Sequence, residues 1–395
     1  MKEGWKTVKL GEVCKIKGGS TPIKSNKLYW ENGTIPWFTV DDIREQGRII
    51  KYTNKSITEL AAQKLCVYPV DTILLCCTAS IGEYAITKIE TTSNQQFNGL
   101  MIKDKSILSP EYLFHLVSTL KDVLLKLSGK TTIDFVSVSK VSDIEIPLPP
   151  LEEQHRIVSI LDASFEKIDA LKKNAEENLK NAKAFYDKLL IEKFSHKEGW
   201  IKSTLQDECF KITDGTHQTP KYFESGHIFL SSGNVTNRKI DWDNIKFIDE
   251  QQHQEMQKRV SPKINDILLA KNGTTGVAAL VDRDVDFDIY VSLALLRTLG
   301  RITPQYMYYF VNSPIAKSQF NKRLKGAGVP NLHLTEIRQV EISYPKDIEK
   351  QNEIVKTIEN IDEKCRRLEQ VAQQTIRECD ALKQSILRQA FSGEL

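Results

Sequence analysis

Two clusters of hydrogen-bonding side chains hold the chemistry of this 395-residue sequence, and neither has the spacing of a catalytic centre. The first comprises Ser20, Thr21, Lys24, Asn26, Arg44, Thr78, Ser80, Gln95, Gln96, Asn98 and Lys130, beginning at the turn Gly18-Gly19-Ser20-Thr21-Pro22. The second comprises Thr216, His217, Gln218, Lys221, Ser231, Ser232, Asn234, Asn237, Arg238, Lys271, Asn272 and Lys325, beginning at Asp214-Gly215-Thr216-His217-Gln218-Thr219-Pro220. Such side chains reach both phosphates and base edges, where Asn and Gln pair with adenine and Arg or Lys with guanine. Gly, Ser, Thr, Asn and Pro also build ordinary turns, so each position has a structural reading beside the binding one. The aromatics Trp30, Trp37, Tyr306, Tyr308 and Tyr309 are expected to pack in cores rather than to stack on bases.

Enzymatic constellations do not assemble from the remaining residues. Ser128-Gly129-Lys130-Thr131 resembles half a phosphate-binding loop, but Leu124 stands where that loop needs its first glycine. Asp282, Asp284, Asp286 and Asp288 alternate as in a calcium loop, yet Phe287 and Leu293 occupy its glycine and glutamate positions, which leaves a solvated strand edge or hairpin. There is no GxGxxG and no HExxH; the seven histidines are scattered, and the only Pro-Pro follows Leu148 rather than Asp or Asn. A binding protein without a metal site is the expectation.

The composition is that of an ordinary globular chain: 40% hydrophobic, 27% charged, net charge +3. So small an excess does not by itself mark a nucleic-acid binder. No apolar run approaches membrane-spanning length and the first residues lack the apolar stretch of a signal peptide, so no membrane association and a cytoplasmic location are expected. The seven cysteines show no CxxC spacing and read as small buried residues in a reducing compartment.

What must position the two clusters is written twice. Lys2-Glu3-Gly4-Trp5 returns as Lys197-Glu198-Gly199-Trp200, Cys14 as Cys209, Asp71-Thr72-Ile73-Leu74-Leu75 as Asn265-Asp266-Ile267-Leu268-Leu269, and Ser109-Pro110-Glu111-Tyr112 as Thr303-Pro304-Gln305-Tyr306. Residues 154–195 align with 351–392 without a gap, pairing Gln154 with Gln351 and Phe194-Ser195 with Phe391-Ser392. A period near ~195 residues is too long for a solenoid and means one duplicated unit. Each copy opens with short β-rich runs and a short apolar helix, closes on proline (Pro147 to Pro150, Pro345), and continues into a long helix.

The apolar positions Val158, Leu161, Phe165, Ile168, Ala175, Leu179, Ala182 and Leu189 form one heptad seam, interrupted at Lys172 and Tyr186; Val355, Ile358, Cys365, Leu368, Ala372, Cys379, Leu382 and Ile386 form the second. Roughly 42 residues per helix give a rod of roughly 63 Å. Each seam needs a partner, and the connectivity makes the two helices antiparallel, with the globular parts at opposite ends about a pseudo-two-fold axis. The expected fold is α+β, with segments 1–149, 150–197, 198–345 and 346–395.

The openings Pro147-Leu148-Pro149-Pro150-Leu151-Glu152-Glu153-Gln154-His155-Arg156-Ile157-Val158, the tail from Leu382 to Leu395 and the paired Thr-Pro loops resemble the specificity subunit of type I restriction-modification systems over the whole chain. The resemblance implies two tandem target-recognition domains, each reading half of a split double-stranded DNA target, and two conserved spacer helices. It implies partners as well: two methyltransferase subunits and the restriction/translocase subunits, which would carry S-adenosylmethionine, ATP and magnesium, with none bound by this non-catalytic chain. Partner contact is expected at Leu151, Val158, Leu161, Phe165, Ile168, Val355, Ile358, Leu368 and Phe391. The second spacer departs from the first at Tyr344-Pro345-Lys346-Asp347, so its partner-binding end need not match. A coiled-coil scaffold with two protein-binding heads, and an enzyme with unfamiliar motifs, are the alternatives from the residues alone. Salt-sensitive, sequence-selective DNA binding separates the first reading from the scaffold.

Overall fold

A computed structural model describes residues 3–129, 135–273, 275–323 and 331–395. The chain divides into two compact units, residues 1–174 with 375–395, and residues 175–374. Each therefore owns part of both long helices, Leu151–Phe194 and Ile348–Ser392.

In the first unit a five-stranded sheet runs in the order Cys14–Gly18, Phe97–Ile102, Ile73–Cys76, Tyr84–Thr87, Ile49–Ile50. The strand Ile73–Cys76 is buried throughout because both its faces are covered. Ile73 and Leu75 join the core of Leu113, Leu116 and the long-helix residues Ile157 and Leu161, whereas Leu74 and Cys76 face Phe38, Tyr68 and Phe97. A three-stranded sheet (Ser56–Ile57, Ile35–Phe38, Thr92–Ser93) stands beside it, its middle strand parallel to Thr92–Ser93. The second unit repeats the plan. Its main sheet runs Cys209–Asp214, Leu293–Thr298, Ile267–Ala270, Ala278–Leu280, and its small sheet Lys246–Ile248, His227–Leu230, Phe287–Ile289. Ile267 and Leu269 face Tyr306 and Phe310, and Leu268 and Ala270 face Leu230 and Phe287.

How each long helix is tied to its domain follows from one residue. Gln154, fully buried, accepts the Ser109 N–H at 2.8 Å and donates to the carbonyls of Ile107 and Pro149 at 2.8 and 2.9 Å. Gln351, equally buried, accepts from Thr303 N at 2.9 Å and donates to the carbonyls of Arg301 and Pro345 at 2.9 and 3.0 Å. Ser109 and Thr303 in turn cap the helices Pro110–Val117 and Pro304–Val311, each with proline in its first turn. One buried amide thus satisfies three backbone groups at the joint, bonds that an apolar side chain of the same size could not make.

Within the first unit the two long helices run antiparallel. Lys172 pairs with Asp380 at 2.6 Å and Asp169 with Lys383, so numbering rises along one helix as it falls along the other. The seam keeps its expected phase, with Leu161, Ile168, Ala175, Ala182, Ile358, Cys365, Ala372 and Cys379 buried, and departs from the sequence expectation at single positions. Tyr186, read as an interruption, is 7% exposed and lies in the second unit's core, whereas Leu368 and Leu382, read as seam residues, are 54% and 49% exposed. Asp362, only 6% exposed, lies on the covered face of its helix because Arg238 and Arg366 pair with its carboxylate. The aspartate series is corrected too. Asp288 is not on a solvated edge but fully buried, accepting from His253 Nδ1 at 2.7 Å and Gln257 Nε2 at 2.9 Å. Among the described residues no helix is long and apolar enough to cross a membrane, and the cysteines are unpaired, six of the seven buried.

Candidate nucleic-acid interface

Both candidate loops leave the edge strand of a main sheet at a glycine with no room for a side chain. A Cβ on Gly19 would collide with Ser93 and Asn94, and one on Gly215 with Ile289 and Tyr290. The close approach lets Ser20 N–H donate to Ser93 O at 2.8 Å and Thr216 N–H to Ile289 O at 3.0 Å, which carries each loop from the main sheet across to the small one.

In the first unit, neutral groups hold the loop. Trp37 Nε1 donates to Ser20 O and Trp30 Nε1 to Ile23 O, both at 3.2 Å, and the indoles meet edge to face at 5.0 Å. Thr21 Oγ1 hydrogen-bonds Gln95, and Asn26 caps the turn by accepting from Leu28 N–H at 3.1 Å. Lys24, Trp30, Trp37, Thr39, Asn94 and Gln96 line a cavity of about 420 Å³. Arg44 and Ser80 line a separate cleft of about 490 Å³ with Val40 and Lys121. Ser20, Lys24, Arg44 and Gln95 are exposed, and Thr78 is half-buried. Asn98 is corrected: it is 5% exposed and its Nδ2 donates to Cys77 Sγ at 3.1 Å, so its role is internal. Lys130 lies outside the described residues.

Charge holds the second loop. Asp214, 3% exposed, receives Lys271 Nζ on Oδ2 at 2.6 Å, and Arg259 Nη2 on Oδ1 at 2.5 Å with Arg259 Nε on its carbonyl at 3.0 Å. His217 Nε2 lies 3.3 Å from the same Oδ1. Burial pushes the Asp214 carboxyl up, but the Lys271 and Arg259 contacts outweigh it and hold the group below the ordinary carboxylate range. Gln252 grips the far end of the loop, accepting from Lys221 N–H at 2.9 Å and donating to Lys221 O at 3.1 Å.

His217, Gln218 and Lys221 are exposed on this loop, with Thr216, Ser231, Ser232 and Asn272 half-buried nearby in sequence or sheet. Three expected contacts are internal instead. Lys271 is spent on Asp214; Asn234 closes a capping box with Ser231 and donates to Asp241 O and Asn244 O. Arg238 and Asn237, at φ 62° and 48°, form the two-residue turn joining Val235–Thr236 to Lys239–Ile240. That turn lies on the long helices, with Arg238 4.8 Å over the Tyr186 ring and 2.9 Å from Asp362. Asn237 stays exposed. Lys325 lies outside the described residues. Sequence reasoning missed Arg259, Trp30, Trp37 and Gln252 as loop supports. Each is remote in sequence from, or of the wrong type for, the turn it holds.

The expected partner-contact set divides by burial. Leu161, Ile168, Val355 and Ile358 are buried within their own units, and Leu151, Val158, Phe165 and Phe391 are half-buried. Leu368 is open to solvent. The exposed large apolar residues of the long helices are Leu171 and Leu382 in the first unit and Phe185, Ile191, Ile348, Leu368 and Val371 in the second.

Comparison with known proteins supplies the family. The family model described as the type I restriction modification DNA specificity domain matches twice, over residues 2–181 and 198–378, and the chain belongs to this family. The MjaIX type I restriction enzyme specificity subunit of Methanocaldococcus jannaschii is 32% identical over 246 residues, covering 57% of this chain and 56% of that protein. The EcoprrI specificity subunit of Escherichia coli is 31% identical over 221 residues, 53% of this chain and 55% of the relative. The chain thus spans about half the length of these two relatives. The MjaVIII specificity subunit of M. jannaschii is 27% identical over 414 residues, covering all of this chain and 93% of the relative. A solved chain from work on complex assembly and conformational transition of the type I R-M system superposes with a TM-score of 0.79 at 22% identity, covering 100% and 99% of the two chains. The HsdS subunit from Thermoanaerobacter tengcongensis gives 0.58 at 21%, covering 100% and 98%. At those identities the structures establish a shared fold.

Proposed function

We propose that the chain is the sequence-reading subunit of a type I restriction-modification complex. It binds double-stranded DNA and catalyses nothing itself. Each unit reads one half of a split, asymmetric target, and the chain presents that DNA to two methyltransferase subunits and to the restriction/translocase subunits in the cytoplasm. S-adenosylmethionine, ATP and magnesium are used by those partners. The observation that carries the reading is a repeated framework with unlike loops. The same order of four main-sheet strands and the same buried glutamine joint recur, while the loop at the same strand end is held by indoles in one unit and by an aspartate with two cations in the other. A shared framework with different side chains at the reading edge is what two unlike half-sites require.

The test is the methylation pattern left on DNA when this chain is co-expressed with its cognate methyltransferase subunit. A bipartite motif with two unlike halves and a fixed unread gap is expected; a continuous or palindromic motif would overturn the reading.

A further inference from the structure

Strand pairing puts Gly18, Cys77 and Asn98 of the first unit where Asp214, Lys271 and Ala294 stand in the second. Gly18 pairs with Asn98 as Asp214 pairs with Ala294, and Cys77 and Lys271 donate their N–H groups to the equivalent carbonyls of Gln96 and Ser292. The first unit has no ionised group in this triad, and the second has two. A buried lysine and a buried aspartate, 5% and 3% exposed, satisfy each other. The charge of Arg259, which shares Asp214, is then left uncancelled.

Arg259 ends the helix Glu250–Arg259, and its side chain is 48% exposed beside His217. Its Nε and one Nη2 hydrogen are fixed on Asp214, and among the described residues its Nη1 makes no hydrogen bond. An arginine held on one edge by a backbone carbonyl and a carboxylate oxygen presents the rest of its planar fork in a set direction, without the rotamer entropy a free surface arginine would lose on binding. Such a fork matches the O6 and N7 acceptors of guanine in the major groove. His217 is placed to follow it: Nε2 lies 3.3 Å from Asp214 and 3.4 Å from Arg259, so it can donate to the carboxylate and free the second Nη2 hydrogen.

Resting on the proposed DNA-reading function, we infer that Arg259 reads a guanine in the half-site of the second unit and that Asp214 is its positioning residue. The buried Lys271 keeps Asp214 ionised and in place. The first unit, with Gly18 and Cys77 at the matching positions, has no counterpart and reads its half-site by other groups.

The experiment uses the chain assembled with its methyltransferase subunit and a set of duplexes carrying the mapped target with 7-deazaguanine at one guanine at a time. The wild-type complex should lose about 5- to 150-fold in affinity at one guanine of the second half-site, the range expected for one base contact. Arg259→Ala should show that loss on unmodified DNA and no further loss on the modified duplex. Arg259→Lys, which keeps the charge and leaves the buried pair untouched, should behave like Arg259→Ala at that position. Asp214→Asn combined with Lys271→Gln removes both buried charges together and should blunt discrimination at the same base pair, a readout that a loss of folding alone would not move to one position. Uniform weakening on specific and non-specific DNA with a shallower salt dependence would mark Arg259 as a phosphate contact and overturn the inference. So would additive losses at every guanine, or a second half-site without guanine. A wild-type complex with no sequence preference would overturn the proposed function and this inference with it; sequence preference that survives Arg259→Lys unchanged would overturn the inference alone.

Discussion

The two units share a chain trace and differ in how they hold the one loop each needs to hold still. In the first, indole N–H groups and a glutamine restrain loop carbonyls and hydroxyls. In the second, a buried aspartate gathers a lysine, an arginine and a histidine. Neutral hydrogen bonds tolerate imperfect geometry at modest cost, whereas a buried ion pair is rigid only while both members are present. Duplication therefore preserved the parts whose chemistry is generic, such as Gln154 and Gln351, and left the loop supports free to diverge in type.

The comparison can be broken most severely at the helices. Leu161 is fully buried in the first unit's core, so Leu161→Asp should abolish folding of that unit, whereas Leu368→Ser, at a site 54% exposed, should change stability by no more than about 0.5 kcal/mol. Circular dichroism and limited proteolysis distinguish the two. If partner subunits dock on the open face of the second unit's helices, only the second change separates loss of co-purification from loss of fold. A Leu161→Asp chain that folds with native stability would show that the core assignment is wrong.

The next effect belongs to the loop supports. Lys271→Met leaves Asp214 with Arg259 as its remaining strong partner and, as the loss of a buried hydrogen bond to a charged group, should cost about 1.5–3 kcal/mol in the second unit, whereas Cys77→Ser at the matching site should cost nearer ~1 kcal/mol. Chemical denaturation of both variants tests the contrast; equal losses would remove it. The same network gives the second unit an acid limit. Because the folded-state affinity of Asp214 for its proton is below its unfolded value, its contribution is complete above the unfolded carboxylate pKa, near ~4, and is lost as pH falls through the lower folded value. Acid unfolding of the second unit should shift toward neutral pH in Arg259→Ala, and the first unit should be unaffected.

The smallest effect sharpens rather than breaks the contrast. Trp37→Phe keeps an aromatic side chain but removes part of the buried ring system and the N–H donated to Ser20 O, a hydrogen bond worth about 1 kcal/mol. Recognition of the first half-site should weaken several-fold with the second unchanged, as measured on duplexes mutated in one half at a time.

Much of this was legible in the sequence, because a repeat announces itself through residues that local rules can interpret. The paired Gln154 and Gln351, the Ser-Pro and Thr-Pro helix starts and the two buried strand runs were all visible as equivalences. The loop clusters are visible only as composition, in which exposed residues such as His217 and Gln218 stand beside internal ones such as Asn98, Asn234 and Lys271. Turn-forming, capping and binding roles use the same side chains, and burial separates them.

The sequence by itself determined the duplication, the α+β character, the two long helices and the places where each domain joins them, since these depend on periodicity and on contacts between neighbours in the chain. Tertiary structure alone decided which positions flank the seam and the partners of the loops. Which of the flanking positions are covered fell to what packs on them: the Asn237-Arg238 turn covers Tyr186 and Asp362, and Leu368 is left outside. Arg259 meets Asp214 across a sequence separation of 45. No local pattern encodes such a meeting, because it depends on where the sheet order brings the end of one helix.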